Sequence, residues 1–182
     1  MGAFLLTEPH AGPDTAAFRT FARRDGGHYV LNGSKQFISN GSEAAVGLVL
    51  AVTDKAAGKN GSSLLIVDGK AKGYQVARVE HKLGQRSAHV AQIQLDDCRV
   101  PVEDILDEEG SGYRRIMASL SEGRVAIAAV AIGAARAALD AAVKYAKERE
   151  AYGAPIIKLQ GVSFHLADMA TRVEEAHQFL LH

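Results

Sequence analysis

The sequence predicts a multidomain α and β chain of two parts. An antiparallel β-barrel or sandwich is expected over residues 1–106, followed over 107–182 by long antiparallel helices of an incomplete helical bundle. Three observations predict it. From Phe4 to about Val102, short apolar runs alternate with turn-forming residues, the pattern of a many-stranded sheet domain. Tyr113 to Glu150 then contains no proline and only Gly123 and Gly133 as glycines. Finally, Leu159, Val162, Leu166, Met169, Val173, Ala176 and Leu180 recur in steps of three and four, the seam of a helix in a bundle.

Taken in order, the first extended candidate is Ala17 to Arg24, ended by Asp25-Gly26-Gly27, a turn whose residues tolerate positive φ. His28 to Leu31 meets Asn32-Gly33, which suits a type I′ hairpin turn, and the return strand is Lys35 to Ser39. Further strands are expected at Val46 to Thr53, Ser63 to Asp68, Tyr74 to Glu80 and Val90 to Leu95. Beyond Pro101, Gly110-Ser111-Gly112 opens the helical part. One helix from Tyr113 to Glu150 would be roughly 55 Å long at a rise near 1.5 Å per residue. Val125 to Ala135 carries no charge, so burial on several sides is expected there. Gly153-Ala154-Pro155 separates this helix from the next. The second helix keeps its apolar stripe to Phe179-Leu180-Leu181-His182 without a glycine cap. A longer protein, or a subunit completed by a partner, is therefore expected.

Composition excludes more than it identifies. The 182 residues are 47% hydrophobic and 23% charged, as in an ordinary globular protein. Equal numbers of basic and acidic side chains, 21 of each, give no electrostatic drive toward nucleic acid or an anionic membrane. No charge-free apolar run reaches about eighteen residues, so no bilayer span is expected. Met1 to Pro9 lacks the basic start of a signal peptide. The one cysteine, Cys98, cannot form an intrachain disulfide, and a zinc site would need several other ligand types. A reducing compartment, most simply the cytoplasm, follows.

Each motif alone has a bland reading. Thr7 to Asp14 is a polar loop, and Lys35 to Gly41 a strand ending in a turn. Gly110-Ser111-Gly112 fails as a dinucleotide fingerprint, because Arg115 stands where a glycine is needed and no strand immediately precedes it. Glu174-Glu175-Ala176-His177 has the Glu-x-x-His spacing of di-iron bundles, but the second copy is missing, so it reads as a solvated helix face. His165 and Asp168 read as a surface pair, and the other histidines show no metal spacing. Arg124, at the lip of the uncharged run beside Glu122, reads as half of an ion pair or as a polar contact to a ligand. Arg149, Tyr152 and Gln160 flank the break between helices as a capping arginine, a packing aromatic and a surface amide.

Together the motifs say more. Thr7-Glu8-Pro9 with Ala11-Gly12 and Asp14 resembles the TEPxAGSD motif of acyl-CoA dehydrogenases. Leu31-Asn32-Gly33, Lys35 and Ile38 through Gly41 resemble that family's LNGxKxxITNG, and Lys82 to Ser87 its KLGxRxS. Val100-Pro101-Val102 with Ile105-Leu106 is similar to its VPxxxxL exit from the barrel. Gly123-Arg124, Tyr145-Ala146, Arg149 to Gly153, Ile156 and Gln160 resemble GR…YAxxRxxFGxxIxxxQ. The series runs in family order across nearly the whole chain.

The resemblance implies FAD as cofactor, an acyl-CoA substrate, electron-transfer flavoprotein as electron acceptor, and a homo-oligomer. It places this chain as the central β-domain and the first two helices of the C-terminal bundle. Phe4, Leu6 and Thr7 would lie along the flavin ring, with Gly12 in the same loop. Phe37 would stack on the ring where many members have tryptophan, followed by Ile38 and Ser39, the latter replacing a threonine. Arg149, Tyr152 and Gln160 would hold the distal half of a partner subunit's FAD, a task suited to arginine's planar fork. Leu120, Gly123 and Arg124 would line the acyl-CoA cleft. Pro13 departs from the motif's serine and supplies neither its hydroxyl nor its N–H.

The family chemistry removes the α-proton with a glutamate while the β-hydrogen leaves as hydride to the flavin. Most members carry that glutamate late in the bundle, and a minority just before the arginine matching Arg124. That position is Gly123 here, and Glu122, one residue earlier, is rotated by about 100°. The base is therefore expected beyond His182, with Glu122 the weaker candidate, and the 182 residues alone are expected to be inactive. The same motifs occur in acyl-CoA oxidases and flavin monooxygenases, and a non-catalytic scaffold needing a partner subunit is a third reading.

Overall fold

The computed structural model describes residues 1–182, the Ala16 side chain excepted. Its contacts divide the chain into two compact units, Met1–Met117 and Ala118–His182. That division falls inside the first long helix, eleven residues past the expected boundary at 106.

The N-terminal unit is built on eight strands: β1 Gly2–Leu5, β2 Phe21–Asp25, β3 His28–Ser39, β4 Val46–Val52, β5 Ser62–Asp68, β6 Tyr74–Val79, β7 Val90–Pro101 and β8 Ile105–Leu106. Their order across the sheet is β6-β7-β3-β2-β4-β5-β8, with β1 alongside β4. Most neighbours run antiparallel, but β1 pairs with β4 in parallel, and β2 meets β4 in parallel at Phe21 and Val52 alone. The sheet is therefore mixed rather than wholly antiparallel. The long excursion between β1 and β4, through β2 and β3, supplies the crossover that parallel pairing requires.

Alternation explains which side chains fill the interior. On β7, Ala91, Ile93 and Leu95 point inward and are fully buried between half-exposed neighbours. They pack with Leu5, Leu31, Val49, Leu65 and Val67, none of which retains exposed surface. Burying each such side chain stabilises the fold by about 1.5–3 kcal/mol. Cys98 lies in the same core, where burial pushes its thiol up to about 11.

Three expected boundaries change, the first being β7, which ends at Pro101 rather than Leu95. The Ala17 to Arg24 candidate is not one strand: Thr15–Ala17 forms a 3₁₀ turn and β2 begins at Phe21. Asn32-Gly33 is not a hairpin turn either. The turn between β2 and β3 is Gly26-Gly27, and β3 runs on through Asn32-Gly33 with a bulge against β7. Local geometry explains both residues. Asn32 Nδ2 donates to Asp97 Oδ1 at 3.1 Å, and Asn32 Oδ1 accepts from the Asp97 N–H at 2.9 Å. Gly33 has φ of 152°, and a Cβ there would lie 2.7 Å from the Thr20 Cα. A close approach of backbones, not a turn, requires the glycine.

Helix α1, Gly112–Glu148, starts within the N-terminal unit. Its first turn is seated tightly, since a Cβ on Gly112 would lie 2.8 Å from the Ser62 carbonyl oxygen, and Ile116 is buried. Arg115 Nε donates to Asp107 Oδ2 at 2.6 Å just before it.

The C-terminal unit holds the rest of α1, a two-stranded ribbon of β9 Glu150–Ala151 and β10 Ala154–Pro155, and α2 Gln160–Leu181. Ala146 and Leu166 are its buried side chains, and Arg136 lies 3.7 Å from Glu174. Of the expected seam, Val162, Leu166, Val173 and Leu180 are buried or half-buried, whereas Leu159, Met169 and Ala176 are exposed. The expected all-round burial of Val125 to Ala135 is not met. Val125, Ile127 and Val130 are exposed. By length and composition alone, α1 is apolar enough to cross a membrane, with a window of mean hydropathy 1.7. The exclusion of any bilayer span from composition was therefore too strict, since it admitted no charge in the window.

Gly33→Ala tests the bulge. The added methyl meets Thr20 backbone at a positive φ, so the variant should lose about 2 kcal/mol in denaturant unfolding. Gly12→Ala, with nothing within 4 Å of the added Cβ, should unfold with wild-type stability.

Candidate functional site

The segment after β1 and the second irregularity of β3 build one surface. The register of β3 against β7 shifts between Lys35 and Ile38, which takes Gln36 and Phe37 out of that ladder. The Gln36 N–H turns instead to the Thr7 carbonyl oxygen, at 2.8 Å. Phe37 has φ of 59°, an outlier for a bulky residue and the kind of strain that functional sites hold. Its ring is 60% exposed, while Ile38 is 2% exposed. The Ile38 side chain therefore belongs to the core, and only its backbone can face the surface that Phe37 and Ser39 share. Phe4 is also exposed, and Leu6 and Thr7 are half-buried. Among the described residues the Thr7 and Ser39 hydroxyls make no hydrogen bond, so both are free to meet a ligand.

What holds this surface is a buried ion pair. Lys35, at 0% exposure, donates from Nζ to Glu8 Oε1 at 2.9 Å and to the Leu6 carbonyl at 3.0 Å. Glu8 accepts further bonds from the Arg19 N–H at 2.7 Å and the Thr20 N–H at 3.0 Å. The Phe18 ring lies 4.8 Å from the ammonium. Glu8 is aimed inward by a tight Pro9-His10 turn, closed by reciprocal bonds between Glu8 and Ala11 of 2.9 and 3.1 Å. Burial pushes the Lys35 ammonium down to about 8, against the opposing pull of Glu8. For Glu8, burial raises the pKa, but the Lys35 charge and the N–H donors outweigh it and leave the carboxyl below its ordinary value.

Sequence reasoning quoted both residues as motif letters and gave neither a role. The signal was present. Lys35 falls in the same alternation phase of β3 as the buried Tyr29 and Leu31, where a charge needs a buried counter-charge.

The remaining site residues separate by unit. Gly12 is half-buried in the loop after the Pro9-His10 turn, and Pro13 is exposed. In the C-terminal unit, Arg149, Tyr152 and Gln160 surround the β9–β10 ribbon, all exposed. Tyr152 and Gly153 form its two-residue turn, both with positive φ, 54° and 77°. The turn presents Tyr152 to solvent at 95% exposure. On α1, Leu120 is half-buried and Gly123 and Arg124 are exposed. Leu120 and Arg124, four apart, share a helix face, whereas Glu122 lies about 200° from each. Among the described residues Arg124 forms no ion pair, so its bland reading as half of one is not met.

Two other readings resolve. Asp168 pairs with Arg172 at 3.0 Å rather than with His165. Glu174 accepts from Gln178 at 2.7 Å, and no metal-binding cluster occurs among the described residues.

Removing one partner strands a buried charge. Lys35→Met should therefore cost about 3–5 kcal/mol in denaturant unfolding and release the Leu6–Glu8 segment to proteolysis. The pH dependence has a definite sign. Because the Glu8 carboxyl is lower in the folded state than its ordinary 4.5, the unfolded chain takes up that proton first. Its contribution is complete above about pH 4.5 and drains as pH falls through the folded value. Melting temperature followed by circular dichroism should fall more shallowly with acid in Glu8→Gln than in the wild type.

With this geometry established, the chain was compared with known proteins. Residues 3–98 match the family model "Acyl-CoA dehydrogenase, middle domain", and residues 110–182 the model "Acyl-CoA dehydrogenase, C-terminal domain". An acyl-CoA dehydrogenase of Bacillus subtilis is 45% identical over 182 residues, covering 100% of this chain and 48% of that protein. The mitochondrial short-chain specific acyl-CoA dehydrogenase of Rattus norvegicus is 44% identical over 176 residues, 97% of this chain and 43% of its own length. Among solved structures, butyryl-CoA dehydrogenase of Megasphaera elsdenii aligns with a TM-score of 0.95 at 40% identity, covering 100% of this chain and 48% of that one. A prolyl acyl carrier protein oxidase aligns equally well, TM-score 0.95 at 31% identity over 100% and 48% of the two chains. The chain thus spans about half the length of the curated relatives it matches. The C-terminal-domain match takes in α1 and α2 together, and the middle-domain match takes in both irregularities of β3. This chain belongs to the acyl-CoA dehydrogenase family.

Proposed function

We propose that these residues form the cofactor- and thioester-holding part of an FAD-dependent enzyme that oxidises an acyl-CoA between its α and β carbons. The observation that carries the reading is the bond from Gln36 N–H to the Thr7 carbonyl, because it joins two distant segments beneath an exposed, strained Phe37. The surface suits an isoalloxazine. Phe37 and Phe4 offer an aromatic and apolar face, and the Thr7 and Ser39 hydroxyls are uncommitted donors at its edge. Ser39 makes the same bond as a threonine with more rotamer freedom. Gly12 leaves open space in the adjoining loop.

In this reading Arg149, Tyr152 and Gln160 clasp the diphosphate and adenosine half of a cofactor bound mainly to another subunit of a homo-oligomer. Leu120, Gly123 and Arg124 line the path of the acyl-CoA, with Arg124 facing its polar groups. FAD, when bound, supplies the electron sink, and electron-transfer flavoprotein is the acceptor that empties it. The residues here orient the thioester and shield it from water. The carboxylate that takes the α-proton lies outside residues 1–182, because Glu122 is turned away from the face that Leu120 and Arg124 share.

A second reading keeps the binding roles and changes the oxidant to oxygen, favoured by the likeness to an acyl carrier protein oxidase. The rate at which dissolved oxygen reoxidises the reduced cofactor separates the two.

The purified chain, mixed with FAD and passed through a desalting column, should retain flavin in stoichiometric amount. Phe37→Ala should lower that affinity about tenfold, as should Arg149→Ala, while both variants melt as the wild type does. With acyl-CoA and an artificial acceptor, the chain alone should show no steady reduction. Colourless wild-type protein would refute the flavin assignment, and steady turnover abolished by Glu122→Gln would refute the placement of the base.

A further inference from the structure

The loop from Glu8 to Phe18 carries Gly12, yet packing does not explain how it is held. Among the described residues nothing lies within 4 Å of the place a Gly12 Cβ would take, and Pro13 and Asp14 are exposed. Two short turns form its halves. At the near end Glu8 and Ala11 face each other in an isolated antiparallel bridge, so Thr7 and Gly12 leave that bridge side by side. At the far end Thr15–Ala17 makes a single 3₁₀ turn, in which the Ala17 N–H donates to the Asp14 carbonyl at 3.2 Å. One turn of helix does not form unaided, because fixing its backbone costs more than its hydrogen bond returns.

His10 joins the two halves. Its Nε2 lies 3.0 Å from the Ala17 carbonyl oxygen, seven residues on. A carbonyl only accepts, so this nitrogen carries a proton and donates. The same N–H faces a second acceptor, Glu8 Oε2, at 3.5 Å. Lys35 and the Arg19 and Thr20 amides already fix that carboxylate, so the ring is braced against a group that does not move. Beyond Ala17 the chain re-enters the core at Phe18, whose ring lies 4.8 Å from the Lys35 ammonium. Pinning the Ala17 carbonyl therefore ties the loop down at the point where it returns.

The imidazole is also the outermost member of this network. Its side chain is 34% exposed, against 1% for Glu8 and 0% for Lys35. Removing it strands no buried charge, which sets it apart from the ion pair behind it. His10 moreover occupies the one letter that the pattern TEPxAGSD leaves open, so its role is no part of that resemblance.

We propose that His10 is a positioning residue, whose N–H pins the Ala17 carbonyl and thereby holds Gly12 beside Thr7 at the surface assigned to the cofactor. The last step rests on the flavin reading, whereas the pinning does not. Hydrogen–deuterium exchange of the flavin-free chain tests the pinning. In His10→Ala the amides of residues 11–17 should exchange about fivefold faster, the effect of losing one hydrogen bond, while those of β7 exchange as in the wild type. His10→Gln, which can place an amide N–H where the ring N–H now lies, should restore the slower exchange. Titration with FAD, followed by flavin fluorescence, tests the purpose: affinity should fall about fivefold in His10→Ala and recover in His10→Gln. The proposal is overturned if residues 11–17 exchange alike in His10→Ala and the wild type, if His10→Gln restores neither exchange nor affinity, or if the loop loosens while FAD affinity stays the same. Failure of the flavin reading looks different: the wild type takes up no FAD, while the exchange difference between His10→Ala and His10→Gln persists and supports the pinning.

Discussion

The pairing of Lys35 with Glu8 is the constraint on which the N-terminal site depends. Neither segment it joins has a reason of its own to be where it is. Residues 6–8 are not part of a strand, and Gln36 and Phe37 have left the ladder with β7. The ion pair draws them together from inside, with the lysine reaching both the Glu8 carboxylate and the Leu6 carbonyl. Two charges taken from water cost several kcal/mol each before their attraction is counted, and this arrangement recovers that cost only through its further bonds. Glu8 uses its oxygens on Lys35, Arg19 and Thr20. The pair is thus better regarded as a device for register than as a source of stability. An apolar substitute of equal volume could fill the space without specifying where Thr7 must lie.

The two irregularities of β3 complement that pair. At Gly33 the strand passes so close to Thr20 that no side chain fits, and at Phe37 it adopts a positive φ that no turn demands. A regular twelve-residue strand would alternate its side chains without interruption. The second bulge instead exposes Phe37 and Ser39 on either side of buried Ile38 and frees the Gln36 N–H for Thr7. Strain at Phe37 persists because the flanking residues are over-determined, Lys35 by its ion pair and Ile38 by the core.

How far the sequence showed this follows from the kind of signal each residue leaves. The apolar runs of β4 and β5 and the proline-free stretches of α1 and α2 were legible nearly to their ends, whereas β7 continues six residues past the expected Leu95 to Pro101. Asn32-Gly33 misled because a glycine required by a neighbouring backbone is indistinguishable from one required by a turn. Only the position of Thr20, thirteen residues earlier, tells them apart. The burial of Val125 to Ala135 was inferred from apolarity, which states what a surface tolerates and not what covers it. Lys35 and Glu8 were not legible as a pair, since their partnership depends on the parallel placement of β1 beside β4. The motif order carried the family, and with it a set of site residues that no spacing in this chain could have supplied.

The same segment, Phe18 to Thr20, serves two surfaces, and this links them physically. Its amides hold Glu8, and the Phe18 ring lies against Lys35. Its other side forms part of a cleft beside β2. Disturbing Glu8 therefore changes where Thr7 lies. The N-terminal unit thus keeps its positioning chemistry for Thr7 on one lysine that water does not reach.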